Sequence, residues 1–362
     1  MNADVRRHLT EIEPCLLAVP EAALARLRLR LGRAVATGEA LNASVTYGAS
    51  FDVLSELADY WLEDFDLDGQ ALFDLPMFTT QLDQNQWCFA HARSPETFAL
   101  PLLLLHGYSG SLAELEQVTA DLADPRRHAA SPGDAFHVVC PALPGFGLSD
   151  PAPSAGAIAE GCAELMQRLG YSRYVVHGSD LGANLALALA AVDSTHVAGL
   201  HVTALPSYPS QALDQVASLT RHEKSQLALL TELHEELSFQ LPESPLEQLA
   251  FALARLEHGE KIDQQTRWRE PLLAGLTLSW ALGNTHARND LYRQQRLAAA
   301  PATTTPVSVH SFPLDAPSLR RFAELRHRVV DWTEHARGGS MPALEQPELL
   351  VRSLRDFFRR FR

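Results

Sequence analysis

The chain has 362 residues, of which 46% are hydrophobic and 20% charged, and its formal net charge is −14. This composition is typical of a globular protein with a sizeable core, and the length predicts one large domain with an insertion, or two domains. The negative charge argues against a nucleic-acid partner, which needs a basic face. No apolar run approaches the roughly 20 residues of a membrane helix.

The cysteines and the first residues of the sequence predict the cellular compartment. The four cysteines, Cys15, Cys88, Cys140 and Cys162, show no close pairing, and no secretory signal is recognisable. We therefore expect reduced thiols in a soluble, cytoplasmic protein.

Residues 1–95 alternate helical patterns with loops and are interpreted as an N-terminal extension. Apolar residues at helical spacing follow Pro20 and are interrupted at Gly32. A second amphipathic pattern, "FDVLSELADYWLEDF", occupies residues 51–65. Both segments predict helices with one buried face.

The pattern changes at "LPLLLLHG" (100–107), a continuous apolar run typical of a buried parallel strand. Further strands are predicted within 135–150, 172–192 and 197–205. Since these strands alternate with helical segments, they predict a parallel α/β sheet. Residues 96–206 form the first part of this core.

Residues 207–297 lose strand character and are rich in Leu, Glu and Gln, which predicts a helical lid. "AAAPATTTP" (298–306) is interpreted as a linker. Strand patterns resume at 306–315 and 327–335, and a last helical pattern follows. Residues 298–362 therefore complete the α/β core.

A glycine-flanked turn, Gly178-Ser179-Asp180-Leu181-Gly182, joins a predicted strand to a predicted helix. The glycines allow a strained backbone that projects the central Asp180 at the carboxyl edge of the sheet. The Leu181 N–H, at the start of the helix, is placed to stabilise negative charge. An aspartate that only caps the helix fits the same pentapeptide. An aspartate nucleophile would instead attack carbon and form an ester.

Several motifs together resemble the microsomal-type epoxide hydrolase family. They are, in chain order, "YWLEDFDLDGQALFDLPMFTTQLD", "FAHARSP", "LLLLHGYSGS", "PALPGFGLSD", "GSDLG", "LPESP", "HSFPLD" and "GGSMPALEQPELL". The resemblance implies an α/β-hydrolase fold with a parallel-rich sheet, a helical lid insertion and an N-terminal extension. It implies no cofactor and no metal, and the membrane anchor of some members is not expected here.

The resemblance also implies roles for individual residues. Members use an aspartate nucleophile, a histidine that activates water, an acid that orients the histidine, and two lid tyrosines that hydrogen-bond the epoxide oxygen. Asp180 falls on the nucleophile, Asp315 on the orienting acid and Tyr292 on one lid tyrosine. Ser340 falls on the histidine, and Gln226, by a weaker alignment, falls on the other tyrosine.

Two further positions depart from the family pattern beside the nucleophile. Tyr108-Ser109 replaces an aromatic–proline pair after His-Gly, and Leu181 replaces a tryptophan. We assign Tyr108, Leu181 and Gln226 to substrate binding and to stabilisation of the oxyanion.

The serine at position 340 changes the expected reaction. Without a base, water cannot cleave the ester on Asp180, since losing a general base typically costs a factor of about 100 to 10,000. His335 and His310 are the nearest replacement bases in sequence. A catalytically inactive binding protein is a second alternative, although Asp180, Asp315 and Tyr292 are all retained.

We favour a reaction that needs no water. A hydroxyl of the substrate itself opens the epoxide and gives a cyclic ether of the tetrahydropyran or tetrahydrofuran type. Tyr292 donates a hydrogen bond or a proton to the epoxide oxygen, Asp180 accepts the proton of the hydroxyl, and Asp315 hydrogen-bonds Ser340 or acts as a second base. Holding the chain folded can lower the barrier by roughly 7–11 kcal/mol.

Relatives recruited to polyketide pathways, such as the mupirocin type, suggest that this ring-forming chemistry is accessible to the fold. The resemblance thus points to antibiotic biosynthesis. The expected partner is a small, largely apolar epoxide, either free or bound to a carrier protein. Neither a nucleic acid nor a membrane is expected as a partner, and the oligomeric state is left open.

Overall fold

The computed structural model describes residues 11–66, 74–128, 130–205, 207, 218–239, 241–257, 267–297 and 300–362. Its strands are β1 (Glu13–Pro14), β2 (Met77–Leu82), β3 (Asn85–Ala92), β4 (Leu100–Leu105), β5 (Phe136–Pro141), β6 (Tyr174–Gly178), β7 (Val197–Val202), β8 (Thr303–Ser311) and β9 (His327–Glu334).

The helices of the extension are α1 (Glu21–Ala36), α2 (Glu39–Tyr47) and α3 (Phe51–Glu63), and those of the first core part are α4 (Leu112–Ala123), α5 (Ala155–Arg168) and α6 (Leu181–Val192). The segment between β7 and β8, predicted as the lid and so named below, contains α7 (Arg221–Phe239), α8 (Pro245–Leu253), α9 (Arg269–Ala281) and α10 (Thr285–Leu297). The second core part adds α11 (Arg320–Arg326), α12 (Pro342–Glu345) and α13 (Pro347–Phe358).

The strands form one sheet in the order β1-β2-β3-β5-β4-β6-β7-β8-β9. Pairing is antiparallel from β1 through β3 to β5 and parallel from β5 to β9. The continuous apolar sequence of β4 is almost entirely buried, and β6 is buried throughout although it contains His177, because helices cover both faces of the sheet. Helices α5 and α6 pack on one face, and α4 and α13 pack on the other.

A third apolar core lies between the extension and the lid. Leu27 and Leu54 of the extension share a buried cluster with Leu249 and Leu273 of the lid. Trp61 is fully buried and its indole N–H donates to Thr277 Oγ1 over 2.9 Å. The extension therefore packs against the lid helices through this cluster.

The prediction of helices and loops for residues 1–95 was incomplete, because β2 and β3 form a hairpin at the edge of the sheet. Asp83 and Gln84 connect the two strands, and both have positive φ, 45° and 69°. A tight hairpin turn of this kind is usually marked by Asn-Gly or Asp-Gly. Asp-Gln gives no such signal, so the sequence pattern missed the hairpin.

Two smaller expectations also differ from the structure. The linker predicted over 298–306 is wrong in its second half, where β8 begins at Thr303. Gly32 does not interrupt α1, which runs through it.

The four cysteines are free thiols. No helix in the described ranges has the length and apolar character needed to cross a membrane.

Candidate active site

Asp180 occupies the turn between β6 and α6 with a backbone that few non-glycine residues adopt, φ 47° and ψ −114°. Such a conformation costs on the order of 1–3 kcal/mol and has to be imposed by its surroundings. A Cβ at Gly178 would lie 2.1 Å from the Gly182 carbonyl oxygen, and one at Gly182 would lie 2.2 Å from the Leu105 oxygen. The two glycines thus permit the close packing that holds the strained turn expected from the sequence.

Both carboxylate oxygens of Asp180 accept hydrogen bonds from predicted site residues. The backbone N–H of Tyr108 donates to Oδ2 over 2.9 Å, and the Tyr292 hydroxyl donates to Oδ1 over 3.1 Å. The loop after β4 and the lid helix α10 therefore meet at the aspartate, which brings Tyr108, Asp180 and Tyr292 together.

The side chain of Tyr108 fixes the position of Tyr292. Their rings pack with centroids 4.3 Å apart, and the Tyr108 hydroxyl donates to Asn289 Oδ1 over 2.5 Å. Asn289 Nδ2 in turn donates to the Pro242 carbonyl over 3.0 Å. Sequence reasoning missed Asn289, although it precedes Tyr292 by three residues and so shares its helix face.

A buried histidine holds the start of the Tyr108 loop. His106 Nε2 accepts the Leu143 N–H over 3.1 Å, which leaves Nδ1 to donate to the Gly107 carbonyl over 2.9 Å. Burial lowers the pKa of His106 to about 4, so the imidazole is neutral near pH 7. Its role is to tie this loop to the loop that follows β5.

Ser340 is buried in a loop whose backbone is fixed on both sides. Its own N–H donates to the Arg255 carbonyl over 3.2 Å. The N–H groups of Gly339 and Met341 donate to Glu345 Oε1 over 3.1 and 3.2 Å. A Cβ at Gly339 would lie only 2.0 Å from the Arg255 oxygen. The loop is thus held in place although it carries no imidazole.

The remaining predicted residues are placed as follows. Asp315 is buried after β8, where its Oδ1 accepts the Ala316 N–H over 2.7 Å and its Oδ2 lies 3.5 Å from Thr203 Oγ1. Leu181 is buried at the first position of α6. Gln226 is half-buried on α7. The hydrogen bonds to Asp180 given above do not include Gln226, and its assignment stays a prediction.

The two candidate replacement bases belong to a row of histidines across the sheet. His310 Nδ1 lies 2.9 Å from His335 Nε2, and the His310 ring stacks on His201, which contacts His177. His201 also lies against Phe358 of α13, which covers this face of the sheet. Burial lowers the pKa of His310 to about 4. This packing argues against His310 or His335 as the base at Asp180.

Carboxylates and imidazoles in the described ranges form no group of three or more that could hold a metal ion. A carboxylate lies between two hydrogen-bond donors, one from the core and one from the lid. Such an arrangement suits attack on, or proton removal beside, a polarised C–O bond.

Comparison with known proteins places this geometry in a family. Residues 12–115 match the model "Epoxide hydrolase N terminus", and residues 101–301 match "alpha/beta hydrolase fold". A protein of Stigmatella aurantiaca (strain DW4/3-1) named "Putative epoxide hydrolase" is 32% identical, over 97% of this chain and 86% of its own. Epoxide hydrolase 1 of Oryctolagus cuniculus is 23% identical, over 96% and 88%.

Solved structures agree with these matches. Aspergillus niger epoxide hydrolase is similar with a TM-score of 0.73 and 25% identity, covering 97% of this chain and 96% of its own. Juvenile hormone epoxide hydrolase from the silkworm Bombyx mori has the same fold, with a TM-score of 0.73 at 21% identity over 98% and 96%. The α/β-hydrolase fold predicted from the motifs is confirmed, and the chain belongs to the microsomal-type epoxide hydrolase family.

Proposed function

We propose that this family member opens an epoxide by attack of a hydroxyl of the same substrate molecule, giving a cyclic ether. The observation that carries the proposal is the 3.1 Å hydrogen bond from the Tyr292 hydroxyl to Asp180. It is supported by Ser340, which stands at the position that the family resemblance gives to the water-activating histidine. In this proposal Asp180 and Tyr292 open the ring, and water is not activated.

In the proposed reaction, every proton that leaves Tyr292 is replaced by the proton that Asp180 takes from the substrate. The substrate hydroxyl oxygen attacks an epoxide carbon, its proton passes to Asp180 Oδ1, and the C–O bond of the epoxide breaks. Tyr292 gives its proton to the oxygen that leaves carbon. Since the Tyr292 and Asp180 oxygens are 3.1 Å apart, the proton on Asp180 then returns to Tyr292. The product is an isomer of the substrate, and both residues regain their starting states.

The hydrogen bond from Tyr108 determines which oxygen of Asp180 takes part. Oδ2 accepts the Tyr108 N–H, while Oδ1 faces Tyr292. When an epoxide oxygen replaces Oδ1 as the acceptor of the Tyr292 proton, Oδ1 becomes available to the attacking hydroxyl. One carboxylate oxygen therefore fixes the side chain and the other serves as the base.

Hydrolysis in two steps would require a base at the position that the resemblance assigns to Ser340. A serine hydroxyl has no lone pair that is basic near neutral pH, and loss of a general base costs a factor of about 100 to 10,000. An ester on Asp180 would therefore persist. Intramolecular attack avoids the ester.

The fixed loop around Ser340 argues against a decayed site in a binding protein. The hydrogen bonds from Gly339 and Met341 to Glu345 hold the loop in one conformation. The strained turn of Asp180 and the buried position of Asp315 are likewise preserved. A site without function would have no need to keep a backbone strain that costs stability.

Aromatic rings near the carboxylate support an apolar substrate. Tyr108 packs against Phe146, Phe251 and Tyr292, with ring centroids 6.3, 5.3 and 4.3 Å away. We propose a small hydroxy-epoxide with an apolar chain, of the kind that a polyketide pathway supplies, either free or attached to a carrier protein. Folding such a chain against these rings would bring its hydroxyl to the epoxide carbon.

The test is to incubate the protein with hydroxy-epoxides in heavy-oxygen water and to follow the products by mass. We expect an unlabelled isomer with an ether ring. Label in a diol would show hydrolysis by another base. A persistent mass adduct on Asp180 would show a stalled ester, and no conversion would favour a binding protein. Each of these three results contradicts the proposal.

Two substitutions assign the proton transfers. Asp180→Asn should abolish ring formation, and Tyr292→Phe should lower kcat by a factor of about 100 or more, since each removes a group that moves a proton. Tyr171→Phe is the matched control, because the Tyr171 hydroxyl contacts His91, outside the set of contacts at Asp180. Full activity in Asp180→Asn would show that the base is elsewhere.

A further inference from the structure

Glu114 is a buried carboxyl group on the far side of the turn that supplies the Tyr108 N–H. It lies in the first turn of α4 and is 3% exposed. A Cβ at Gly110 would lie 2.4 Å from both of its carboxyl oxygens, so the carboxyl group packs directly against the turn 107–110. A backbone hydrogen bond also links Gly107 to this carboxyl.

Among the residues that the structure describes, the charged groups that shift the pKa of Glu114 are other carboxylates, although Arg267 lines the same cavity. Asp180 lies beyond the turn and Glu345 lies in α12, and these are the charged groups that act on it. Its Oε2 has no hydrogen-bond partner among the residues that the structure describes. A charged carboxylate in such a place would be costly, whereas a neutral acid is tolerated.

Burial raises the pKa of Glu114 to about 8, and the charge of Asp180 raises it as well. The Gly107 hydrogen bond acts in the opposite direction, and Glu345 acts in the same direction as Asp180. Glu114 is therefore mostly protonated near pH 7.

We propose that Glu114 is a positioning residue that acts as a neutral carboxylic acid, holding the turn 107–110, and with it the Tyr108 N–H, against Asp180. A neutral acid can fix the turn without placing a second negative charge beside the epoxide. That charge matters because the epoxide oxygen becomes negative as its bond to carbon breaks. The inference deepens the proposed function, since it concerns the same reaction at Asp180.

The first test compares pH profiles of kcat and KM on the hydroxy-epoxide for wild type, Glu114→Gln and Glu114→Leu. We expect the wild-type kcat to fall above about pH 8, where Glu114 ionises. Glu114→Gln, which cannot ionise, should lack this fall. Glu114→Leu should lower kcat about tenfold or more at every pH, because the turn loses its support and the Tyr108 N–H shifts.

Glu160→Gln provides the matched control, because Glu160 is exposed on α5 and should leave the wild-type profile unchanged. The inference is wrong if Glu114→Gln keeps the alkaline fall of the wild type. It is equally wrong if Glu114→Leu keeps the wild-type kcat, since the turn would then need no support from this side chain.

A second test needs no substrate. The folded protein keeps a proton on Glu114 up to about pH 8, whereas the unfolded chain releases it near its ordinary pKa of 4.5. Raising the pH between these values therefore favours unfolding. From about pH 6 to about pH 8, the melting temperature of the wild type should fall more than that of Glu114→Gln.

The two tests separate the inference from the proposed function. If the melting temperatures of wild type and Glu114→Gln change equally with pH, Glu114 is not a neutral acid, even if ring formation is observed. If they change differently and no ring forms, the neutral acid is supported and the proposed reaction is contradicted.

Discussion

Ser340 is the residue on which the proposed reaction depends, and its surroundings make it a well-defined position for substitution. Glu345 accepts N–H groups from both neighbours of Ser340, and Arg255 accepts the N–H of Ser340 itself. These three hydrogen bonds come from backbone N–H groups and do not involve the Ser340 side chain. Burial raises the pKa of Glu345 to about 7, and the backbone hydrogen bonds that it accepts oppose this rise.

Restoring the histidine should restore hydrolysis. In Ser340→His, an imidazole on the fixed loop can activate water against an ester of Asp180, and a general base is worth a factor of about 100 to 10,000. With a simple epoxide that lacks a hydroxyl, we expect a labelled diol in heavy-oxygen water and steady turnover. The wild type should give no turnover under the same conditions.

Ser340→Asn separates basicity from size, since asparagine adds bulk without a basic nitrogen. It should give no diol. If Ser340→His also gives none while it folds normally by circular dichroism, the missing base is not the reason that hydrolysis is absent. If the wild type already forms diol, the site contains another base.

At the level of elements, the strand β6, the turn at Asp180 and the helix α6 form the unit that projects the carboxylate. Gly182 packs its backbone against the end of β4, and a Cβ there would lie 2.2 Å from the Leu105 carbonyl and 2.8 Å from that of His106. The helix can approach β4 this closely only without a side chain at 182. The distance between these two elements sets where Asp180 stands relative to the Tyr108 loop.

Gly182→Ala should destabilise the fold and displace the turn at Asp180. The inserted methyl group overlaps backbone atoms, and overpacking of this kind typically costs about 1–3 kcal/mol. Denaturant unfolding measures this cost. Gly156→Ala on α5 is the control, because its nearest contact would be Ser154 Oγ at 3.7 Å, and it should be neutral or slightly stabilising. Equal stability of the two variants would contradict the packing argument.

The turn at Asp180, the β2–β3 hairpin and Asn289 show which features a sequence reveals and which it does not. Two glycines around Asp180 marked the turn, because a side chain at either position would overlap neighbouring backbone atoms. The β2–β3 hairpin was missed, because Asp83 and Gln84 adopt positive φ without the glycine that usually signals such a turn. Asn289 was missed for a different reason: its partner Tyr108 lies 181 residues away, a contact that only the folded chain creates.

Across the whole molecule, buried histidines make stability depend on acidity. Burial lowers the pKa of His177 and His310 to about 4 and lowers that of His201 well below its ordinary value of 6.5. The unfolded chain binds protons at these residues from about pH 6.5 downward, whereas the folded protein binds them only at lower pH. Stability should therefore rise with pH between about 4 and 6.5 and be lost on acidification through this window.

Urea unfolding at several pH values across this window tests the expectation. In His201→Asn the acid-induced loss should be smaller than in wild type, because one buried neutral imidazole is absent. His222→Asn, at an exposed position on α7, should follow the wild type. Glu114 makes the free energy of unfolding depend on pH with the opposite sign, so the test is the difference between the variants and not the wild-type curve alone. If this free energy changes equally with pH in all three proteins, the role assigned to His201 is wrong.

Tyr292 belongs to the lid, whereas Asp180 belongs to the core, and this division has a consequence for the lifetime of the enzyme. Helix α10 is tied to the core by the bond from Asn284 N–H to the Gly145 carbonyl and by the bond from Tyr108 to Asn289. In the proposed reaction Tyr292 is the proton donor, so an epoxide that reached Asp180 without α10 in place would not be activated. Because an ester on Asp180 would persist in the proposed site, this dependence on α10 would spare the aspartate permanent alkylation between turnovers.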